Sequence, residues 1–447
     1  MNKQSANYCS NTRSRFLYAN ITISLVLKGW SAAVVLLMVP LTLNCLGAYQ
    51  NGVWLTVSSL LVWIDQMDIG LGNGLRNRLA THVAHGEWLE ARKIVSSTAA
   101  MLICLIFPIL FVLLIFVWKV NIYSILNVIP EQIPELRLAL FSAITLVCMT
   151  FVLKFIGNIY MGLQLPAISN LLIAIGQTLA LIATWLLYIN HHASFFCIVT
   201  VNTAAPLLAY LLAYPYTFYY RYPNLRPSLT FVNLHSSLEL GSIGIKFFWL
   251  QIAAIIQFMT ANILISQFFT PEMVTPYQIA YRYITLVMAL FSVICMPFWN
   301  ATTDAYERGD IAWIWEANRK MSLMSICIGF LLVLMVIISP WLYKVWIGNN
   351  CHVPYGMTIL MAIYIYLLIL SMRYSYFLNG IGALRLQLYM TIMTIIFIPL
   401  EWFVTQQTHS IFWFMIIMCL CTAPSIFVNM LQFHKILNGT AKDFWRI

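Results

Sequence analysis

Twelve long apolar runs constrain this chain more than any other feature of its sequence. A helix needs about 20 apolar residues to cross the hydrocarbon core of a bilayer. The chain has 447 residues, of which 62% are hydrophobic and 9% are charged, whereas a soluble domain carries about 25% charged residues. No run alternates with the period of a membrane-spanning strand. The sequence therefore predicts an all-α polytopic membrane protein with about 12 transmembrane helices, near residues 18–43, 50–72, 94–118, 138–162, 165–188, 194–218, 246–268, 276–299, 322–342, 355–378, 386–404 and 411–432.

Basic residues are unevenly distributed among the segments that connect these runs. If the N-terminus is inside, only Lys119, Arg137 and Lys344 among the 24 lysines and arginines fall in outer segments. Positive residues concentrate on the cytoplasmic side of membrane proteins, so both termini are predicted to be cytoplasmic. This bias also accounts for the net charge of +10, which therefore does not point to nucleic acid.

The two halves of the chain share a faint internal repeat. The segment "NRLATHVAHGEWLEARK" (77–93) follows the second run, and "NATTDAYERGDIAWIWEANRK" (300–320) follows the eighth. Both begin with Asn, place Gly nine residues later, follow it with an acid, and end with two basic residues. Six spans per half predict a parallel repeat of two similar bundles around a central cleft, as in transporters. The predicted organisation is a cytoplasmic tail (1–17), a first lobe (18–220), a cytoplasmic linker (221–245), a second lobe (246–432) and a C-terminal tail (433–447).

Charged residues within the spans are the candidate functional residues. A charge at the centre of a membrane helix costs about 2.5–3.5 kcal/mol on insertion scales, so it must face water or a partner, or extend to the membrane surface. Basic residues outnumber acidic ones at these positions, and a cleft lined in this way favours an anion such as phosphate. Glu401, near the outer end of its span, is expected to reach the surface. The basic residues within spans are Lys28, Lys154, Arg282 and Arg373; Asp65 and Asp68 are the acidic ones.

The stretch "IDQMDIGLGNGLRNRL" (64–79) ends the second span in an unusual way. Asp65 and Asp68 are three residues apart and share one helical face. Three alternating glycines then lower the cost of breaking or bending the helix. Two arginines follow at the level of the lipid headgroups. The stretch is either a flexible helix end on a basic anchor, or a hinge (Gly70, Gly72, Gly74) beside a phosphate-recognising mouth (Arg76, Arg78).

Several motifs resemble a known transporter family. The segments "DIGLGNGLRNRLA" (68–80), "GVWLTVSSLL" (52–61), "TPYQIAYRY" (275–283) and "TDAYERGD" (303–310) look like those of Wzx-type O-antigen and capsule flippases. These belong to the multidrug/oligosaccharidyl-lipid/polysaccharide (MOP) exporter superfamily. The resemblance implies two six-helix lobes that move undecaprenyl-diphosphate-linked sugar units from the cytoplasmic to the periplasmic leaflet of a bacterial inner membrane. Asp68, the three glycines, Arg76, Arg78 and Asp304 lie in the matching motifs.

Together, the residues and the resemblance predict a non-enzymatic, monomeric flippase of lipopolysaccharide or capsule biosynthesis, without cofactor or metal. The expected partners are the polyprenyl-diphosphate-linked glycan, membrane lipids, a polysaccharide polymerase and glycosyltransferases. The predicted diphosphate-binding residues are Lys28, Arg76, Arg78, Lys154, Arg282 and Arg373; the predicted gating or ion-coupling residues are Asp65, Asp68 and Asp304.

Two other classes of protein remain as alternatives. A multidrug exporter of the same superfamily would bind organic cations and use acids in a lobe, and the excess of basic residues argues against it. An O-antigen polymerase or membrane glycosyltransferase usually has a substantial outer loop with catalytic groups. The longest outer loop here, 119–137, contains two acids but no dense constellation. No inner loop could house a nucleotide-binding domain.

Overall fold

A computed structural model describes residues 3–65, 71–233, 260–383, 385–396, 398–442 and 445. All regular elements in these ranges are helical, as predicted. Eight helical stretches among the described residues are long and apolar enough to cross a membrane. The chain divides into two compact units, Met1–Gln251 (unit 1) and Ile252–Ile447 (unit 2). The finer boundaries expected from the sequence, at 18–220, 221–245 and 246–432, stay predictions.

Unit 1 is a bundle of long helices joined by short connections. Helix α7 packs against α1 and α8, α5 packs against α3 and α8, and α2 packs against α3 and α6. A π-helical turn (Tyr216–Arg221) and two 3-10 turns (Pro223–Leu225 and Leu229–Phe231) follow the last helix. The helices are α1 (Lys3–Asp65), α2 (Leu71–Ala84), α3 (Trp88–Lys119), α4 (Ile122–Ile125), α5 (Leu136–Leu153), α6 (Phe155–Gly162), α7 (Pro166–Ile189) and α8 (Phe195–Pro215).

The first two predicted spans are the two arms of α1, which bends at a single residue. Gly47 has φ 69° and ψ 174°, a conformation outside the helical region. Glycine adopts positive φ at little cost, so one residue takes the place of the connecting loop expected between residues 43 and 50. The bend is held by two hydrogen bonds to the α4–α5 connection. Gln50 Nε2 donates to the carbonyl of Gln132 (3.1 Å), and the Ile129 amide donates to the Tyr49 hydroxyl (3.0 Å).

The segment after the second span is a helix, where the sequence suggested a cytoplasmic loop. Leu71, Leu75 and Leu79 recur every four residues and are fully or almost fully buried. This spacing places the three leucines on one face of α2, which packs against α3 and α6. Burial of the leucine stripe stabilises the helix despite the glycines at its start. The connection between α2 and α3 is therefore only residues 85–87.

The linker that follows unit 1's last helix is attached to the start of α3. Arg92 Nε donates to the carbonyl of Arg226 (2.9 Å), and the Arg92 guanidinium carbon lies 4.4 Å from the centre of the Phe231 ring. The amides of Ser228 and Asn233 donate to the hydroxyls of Ser96 (3.1 Å) and Ser97 (2.9 Å). The first part of the predicted linker 221–245 is thus docked on α3 over residues 226–233.

Unit 2 is also a helical bundle. Residues 260–268 are helical, and the rest of the predicted span 246–268 lies outside the described residues. Helix α11 packs against α9, α10 and α14, and α14 also packs against α12 and α13. Two helices occupy the predicted span 386–404, on either side of residue 397. The helices are α9 (Pro271–Glu307), α10 (Ile311–Ile347), α11 (Tyr355–Ile381), α12 (Arg385–Ile396), α13 (Ile398–Thr408) and α14 (Ile411–Leu437).

The sequence repeat corresponds to the same helix-to-helix turn in each unit. Gly86, between α2 and α3, has φ 75°, and Gly309, between α9 and α10, has φ 74°. In both turns the amide of the acid after the glycine, Glu87 or Asp310, donates to the carbonyl five residues earlier at 2.8 Å. This is the hydrogen bond of a Schellman-type helix end, which requires a left-handed residue. The repeated glycines therefore have a shared structural cause.

A second feature repeats at a glycine contact between helices. A Cβ on Gly162 in α6 would lie 3.0 Å from the Arg76 carbonyl oxygen and 3.1 Å from Leu79. A Cβ on Gly380 in α11 would lie 2.8 Å from the Trp299 carbonyl oxygen and 2.8 Å from Thr302. Trp299 and Thr302 follow Arg76 and Leu79 by the same interval that separates the repeated turn glycines. Equivalent helices thus approach each other closely at glycine in both units.

Candidate functional site

Lys28 lies in the first arm of α1, within the membrane-span candidate Thr22–Ile64. Its side chain is exposed, and its neighbour Val26 is 67% exposed. Two residues further on, Trp30 Nε1 donates to the Thr178 hydroxyl at 2.9 Å, which holds this part of α1 against α7. Lys28 has no hydrogen bond or ion pair among the described residues. The structure therefore presents an unpaired ammonium group on the surface of an apolar helix.

The glycine stretch lies partly outside the described residues. Asp68 and Gly70 fall in the undescribed segment 66–70, and Asp65 is the last residue of α1, with its side chain also outside the description. Gly72 is buried and Gly74 is half-buried, both at the start of α2. Gly72 and Gly74 are thus part of a regular helix, and the hinge and coupling roles of the residues in this stretch stay predictions.

Arg76 and Arg78 project from the polar side of α2. Arg76 is exposed and Arg78 is half-buried. They are two residues apart and so point to different sides of the helix. Arg78 takes part in an interaction within the protein, whereas the Arg76 side chain is exposed. The two arginines are thus not equivalent, and Arg76 is the more accessible to a ligand.

Lys154 lies where the predicted span 138–162 is interrupted. It is the residue between α5 and α6, and its side chain is half-buried. Lys154 also interacts with another group in the protein. The sequence predicted one continuous span at this position, and it did not predict the junction between two helices at which Lys154 lies.

Arg282 is half-buried on α9 in unit 2. Gln278, one turn earlier on the same face, donates to Asn262 Oδ1 at 2.7 Å and so connects α9 to the helical segment 260–268. The Arg282 guanidinium has no hydrogen-bond or ion-pair partner in the part of the chain that the structure describes. Arg282 is therefore a second intramembrane cation without a carboxylate partner.

Arg373 is half-buried on α11 and interacts with the residue that follows it. Its Nη2 donates to the Tyr374 hydroxyl at 2.5 Å, and its guanidinium carbon lies 4.4 Å from the centre of the Tyr374 ring. Its Nε atom is buried without a hydrogen-bond partner among the described residues. Arg282 and Arg373 lie on helices that pack together, but they share no hydrogen-bond partner there.

No protein-family model matches the sequence, and no curated protein matches it significantly. Among solved structures, an inward-facing multidrug resistance MATE family transporter of the MOP superfamily matches with a TM-score of 0.76 and 14% identity, over 95% of this chain and 98% of that chain. VcmN, a MATE transporter of Vibrio cholerae in the bent form, matches with a TM-score of 0.60 and 12% identity, over 95% and 98% of the two chains.

The fold is that of the MATE transporters. The structural neighbours are transporters, and the chain is a multi-pass membrane protein. At these identities the likeness concerns the fold, and the resemblance to Wzx-type flippases stays a prediction.

Asp304, a predicted gating or ion-coupling residue, lies near the end of α9. It forms an ion pair with Arg308 (2.9 Å), and the two side chains are 63% and 74% exposed. Pairs this exposed contribute about 0–1 kcal/mol to stability.

The position of Glu401 differs from the one that the sequence predicts for it. We expected Glu401 to reach the surface, but its side chain is half-buried. It is close enough to Tyr277, Tyr364 and Cys421, on α9, α11 and α14, for electrostatic interaction. Thr405, one turn later on the same face, is fully buried. The signal in the sequence is this spacing, because Trp402 and Phe403, between them, are exposed.

The described residues were also compared with the ligand sets of metal sites. Among the described residues, no group of three His, Cys, Asp or Glu side chains is arranged to hold a metal ion.

Proposed function

We propose that this protein is a flippase that moves polyprenyl-diphosphate-linked oligosaccharide across a bacterial inner membrane. The observation that supports this proposal is the presence of intramembrane cations that lack a carboxylate partner among the described residues. Lys28 in unit 1 and Arg282 and Arg373 in unit 2 all belong to this group. An unpaired charge in the membrane marks a path for a polar substrate.

The proposed substrate supplies the missing partner of these cations. A diphosphate offers several oxygens to ammonium and guanidinium groups, and such charge-assisted hydrogen bonds are about twice as strong as neutral ones. Arginine suits phosphate because its planar fork donates two parallel hydrogen bonds. The oligosaccharide would need water or polar side chains on its path, and the lipid would remain in the hydrocarbon.

The proposal includes a cytoplasmic location for both termini and alternating exposure of the substrate site to the two sides of the membrane. Its supports are the unequal distribution of basic residues, the resemblance of the glycine stretch to flippase motifs, and the MATE-like fold. Arg76, exposed on α2, would meet the anionic lipid at the cytoplasmic headgroup level.

The test is deletion of the gene followed by analysis of lipid-linked intermediates. A strain without this flippase should accumulate completed polyprenyl-diphosphate-linked units that remain on the cytoplasmic side of the inner membrane. Expression of the wild-type chain should restore export, and an inactive variant that is present at the same level should not. Normal export of the glycan in the deletion strain would exclude this function.

Glu401 favours a second candidate, an exporter of organic cations. Its carboxyl group is close enough to the buried Tyr277 and Tyr364 for electrostatic interaction, and carboxylates and aromatic rings are the groups that attract a cation. The MATE neighbours include a multidrug resistance transporter. This candidate predicts increased sensitivity to cationic dyes in the deletion strain and unchanged lipid-linked intermediates, which is the opposite of the result expected for the flippase.

A further inference from the structure

An apolar groove runs along the surface of unit 2 between α10 and α11. Its volume is about 530 Å³. Several of the side chains that form it are well exposed, among them Phe330 (73%) and Ile337 (64%). None of the described residues that line it is charged. It is lined on α10 by Ile326, Gly329, Phe330, Leu332, Val333, Val336 and Ile337, and on α11 by Tyr355, Ile359, Ala362, Ile363 and Tyr366.

At one end of the groove a tyrosine ring lies against a glycine. A Cβ on Gly329 would come within 3.2–3.3 Å of the Tyr366 ring and hydroxyl. The absence of a side chain at Gly329 therefore lets the Tyr366 ring lie against the backbone of α10. The other end of the groove is at Tyr355, the first residue of α11.

Arg373 lies beyond the Tyr366 end of the groove. It follows Tyr366 by two helical turns on the same face of α11, and its guanidinium interacts electrostatically with the Tyr366 hydroxyl. Its buried Nε has no partner in the described part of the chain. Two helical turns beyond this end of the groove, α11 thus carries a cation whose Nε donor is unused among the described residues.

The distance from Arg373 to the far end of the groove determines how long the chain of a bound lipid would have to be. Residues 355 to 373 of α11 span about 27 Å at 1.5 Å per residue. This length is close to the whole hydrocarbon thickness of about 30 Å. The acyl chain of an ordinary phospholipid covers only one leaflet, about half of that thickness. An occupant that fills the groove with its charged end at Arg373 must therefore be a single chain that is longer than one leaflet.

We propose that this groove binds the polyprenyl chain of the transported lipid, with a phosphate at Arg373. This inference rests on the proposed function, because it locates the lipid part of the same substrate on the outside of unit 2. The polyprenyl chain stays in contact with the membrane along α10 and α11. The phosphate supplies the acceptor that the Arg373 Nε lacks.

The test measures binding of undecaprenyl monophosphate to the purified full-length protein in phosphatidylethanolamine nanodiscs. The comparison ligands are farnesyl monophosphate, which has the same head and a short chain, uncharged undecaprenol, and phosphatidylglycerol. We expect undecaprenyl monophosphate to bind at least about tenfold more tightly than farnesyl monophosphate, because only the long chain fills the groove.

Two variants separate the chain from the phosphate. Ile363→Trp fills the groove and should weaken binding of undecaprenyl monophosphate and undecaprenol alike by about tenfold. Arg373→Gln should weaken only the phosphorylated ligand, again by about tenfold. The matched control is Ile182→Trp in an apolar groove of about 400 Å³ on unit 1. Ile182 and Ile363 are 47% and 45% exposed, and Ile182→Trp should change neither affinity.

Equal affinity for phosphatidylglycerol and undecaprenyl monophosphate, or unchanged binding in Ile363→Trp, would overturn the groove proposal. If Ile363→Trp binds and exports glycan like the wild type, the groove is not the chain site and the flippase function stands. If the binding results are as expected but the deletion strain exports glycan normally, the groove stands and the flippase function fails.

Discussion

At the scale of single residues, the intramembrane charges carry the functional argument. Lys28 is exposed on an apolar helix, whereas Glu401 is half-buried and close enough to Tyr277 and Tyr364 for electrostatic interaction. Neither has a hydrogen bond or an ion pair with an oppositely charged residue among the described side chains. An isolated charge in hydrocarbon costs free energy, so each residue is expected to bind a ligand. Lys28 would bind an anion, and Glu401 would bind a cation.

The first prediction concerns the Lys28 ammonium. We expect Lys28→Ala to lower glycan export at least about tenfold, since a hydrogen bond to a charged group contributes about 1.5–3 kcal/mol. Lys28→Arg should retain part of the activity because it keeps the charge. The measurement is the amount of exported glycan at equal protein level. Full export by Lys28→Ala would reduce this residue to an anchor at the membrane surface.

The second prediction concerns the carboxyl group of Glu401. Under the flippase proposal, Glu401→Gln should leave glycan export within about twofold of the wild type, since amide and carboxyl have nearly the same shape and the substrate is an anion. Binding of ethidium, an organic cation, should be equally weak in both proteins by fluorescence titration. Tight ethidium binding that disappears in Glu401→Gln would favour the exporter.

At the scale of helices, α2 combines glycines at its start with a buried leucine stripe that follows. The glycines lower the cost of bending, and Leu71, Leu75 and Leu79 fix the helix to unit 1. Gly72 and Gly74 therefore lie in a helix that is fixed by packing, and the hinge stays a prediction. The helix itself would move only together with α3 and α6.

The third prediction tests this hinge. Alanine at Gly70, Gly72 and Gly74 together should stiffen the segment, because each replacement favours helix by up to about 1 kcal/mol. A shift of a few kcal/mol is enough to depopulate one of two transport states. The triple variant should insert normally but transport poorly. In contrast, replacement of both Arg76 and Arg78 by alanine should weaken capture of the anionic lipid and leave cycling intact. If the triple variant transports at the wild-type rate, the hinge hypothesis is wrong. The alternative would then hold, in which the stretch is only a flexible helix end on a basic anchor.

The fourth prediction concerns the close helix contacts at glycine. Gly380→Ala should destabilise the protein by about 1–3 kcal/mol, as expected for overpacking, because the new Cβ would meet two atoms of α9 at 2.8 Å. Gly162→Ala should have a smaller effect, since its nearest contact is 3.0 Å. Gly29→Ala is the control, with nothing within 4 Å. The measurement is thermal unfolding of the protein in detergent, and equal melting temperatures for all three would contradict the packing argument.

At the scale of the whole molecule, the distribution of basic residues predicts one orientation of the chain in the membrane. The fifth prediction is that cysteines placed at Gln50, Ser194 and Gln407 react with an impermeant maleimide from the periplasm. A cysteine at Glu87 should react only from the cytoplasm. Labelling at Glu87 from the periplasm, without labelling at the other three, would reverse the orientation.

The native Cys351, which follows α10, should interfere little with this experiment. Burial, together with the nearby Glu272 carboxylate, raises the pKa of its thiol to about 11. Since the thiolate is the reactive form, labelling of Cys351 should be slow at neutral pH and should accelerate as the pH rises toward 11. Rapid labelling at pH 7 would contradict this.

The sequence by itself determined the all-helical membrane class, the position of most helices and the repeat between the halves. These features depend on local properties: the length of an apolar run, the period of a helix, and the conformation that Gly86 and Gly309 adopt. They require no knowledge of which segments meet in space.

Only the tertiary structure decided how each charge is surrounded. Glu401 was expected at the surface because it lies near the end of its span, but its side chain is half-buried and close enough to Tyr277 and Tyr364 for electrostatic interaction. The segment after the second predicted span forms the helix α2 because its leucines pack against α3 and α6. The position of Arg373 beyond one end of the groove between α10 and α11 is likewise a feature of the tertiary structure. Burial and pairing depend on contacts between segments distant in the sequence, and a one-dimensional pattern does not contain those contacts.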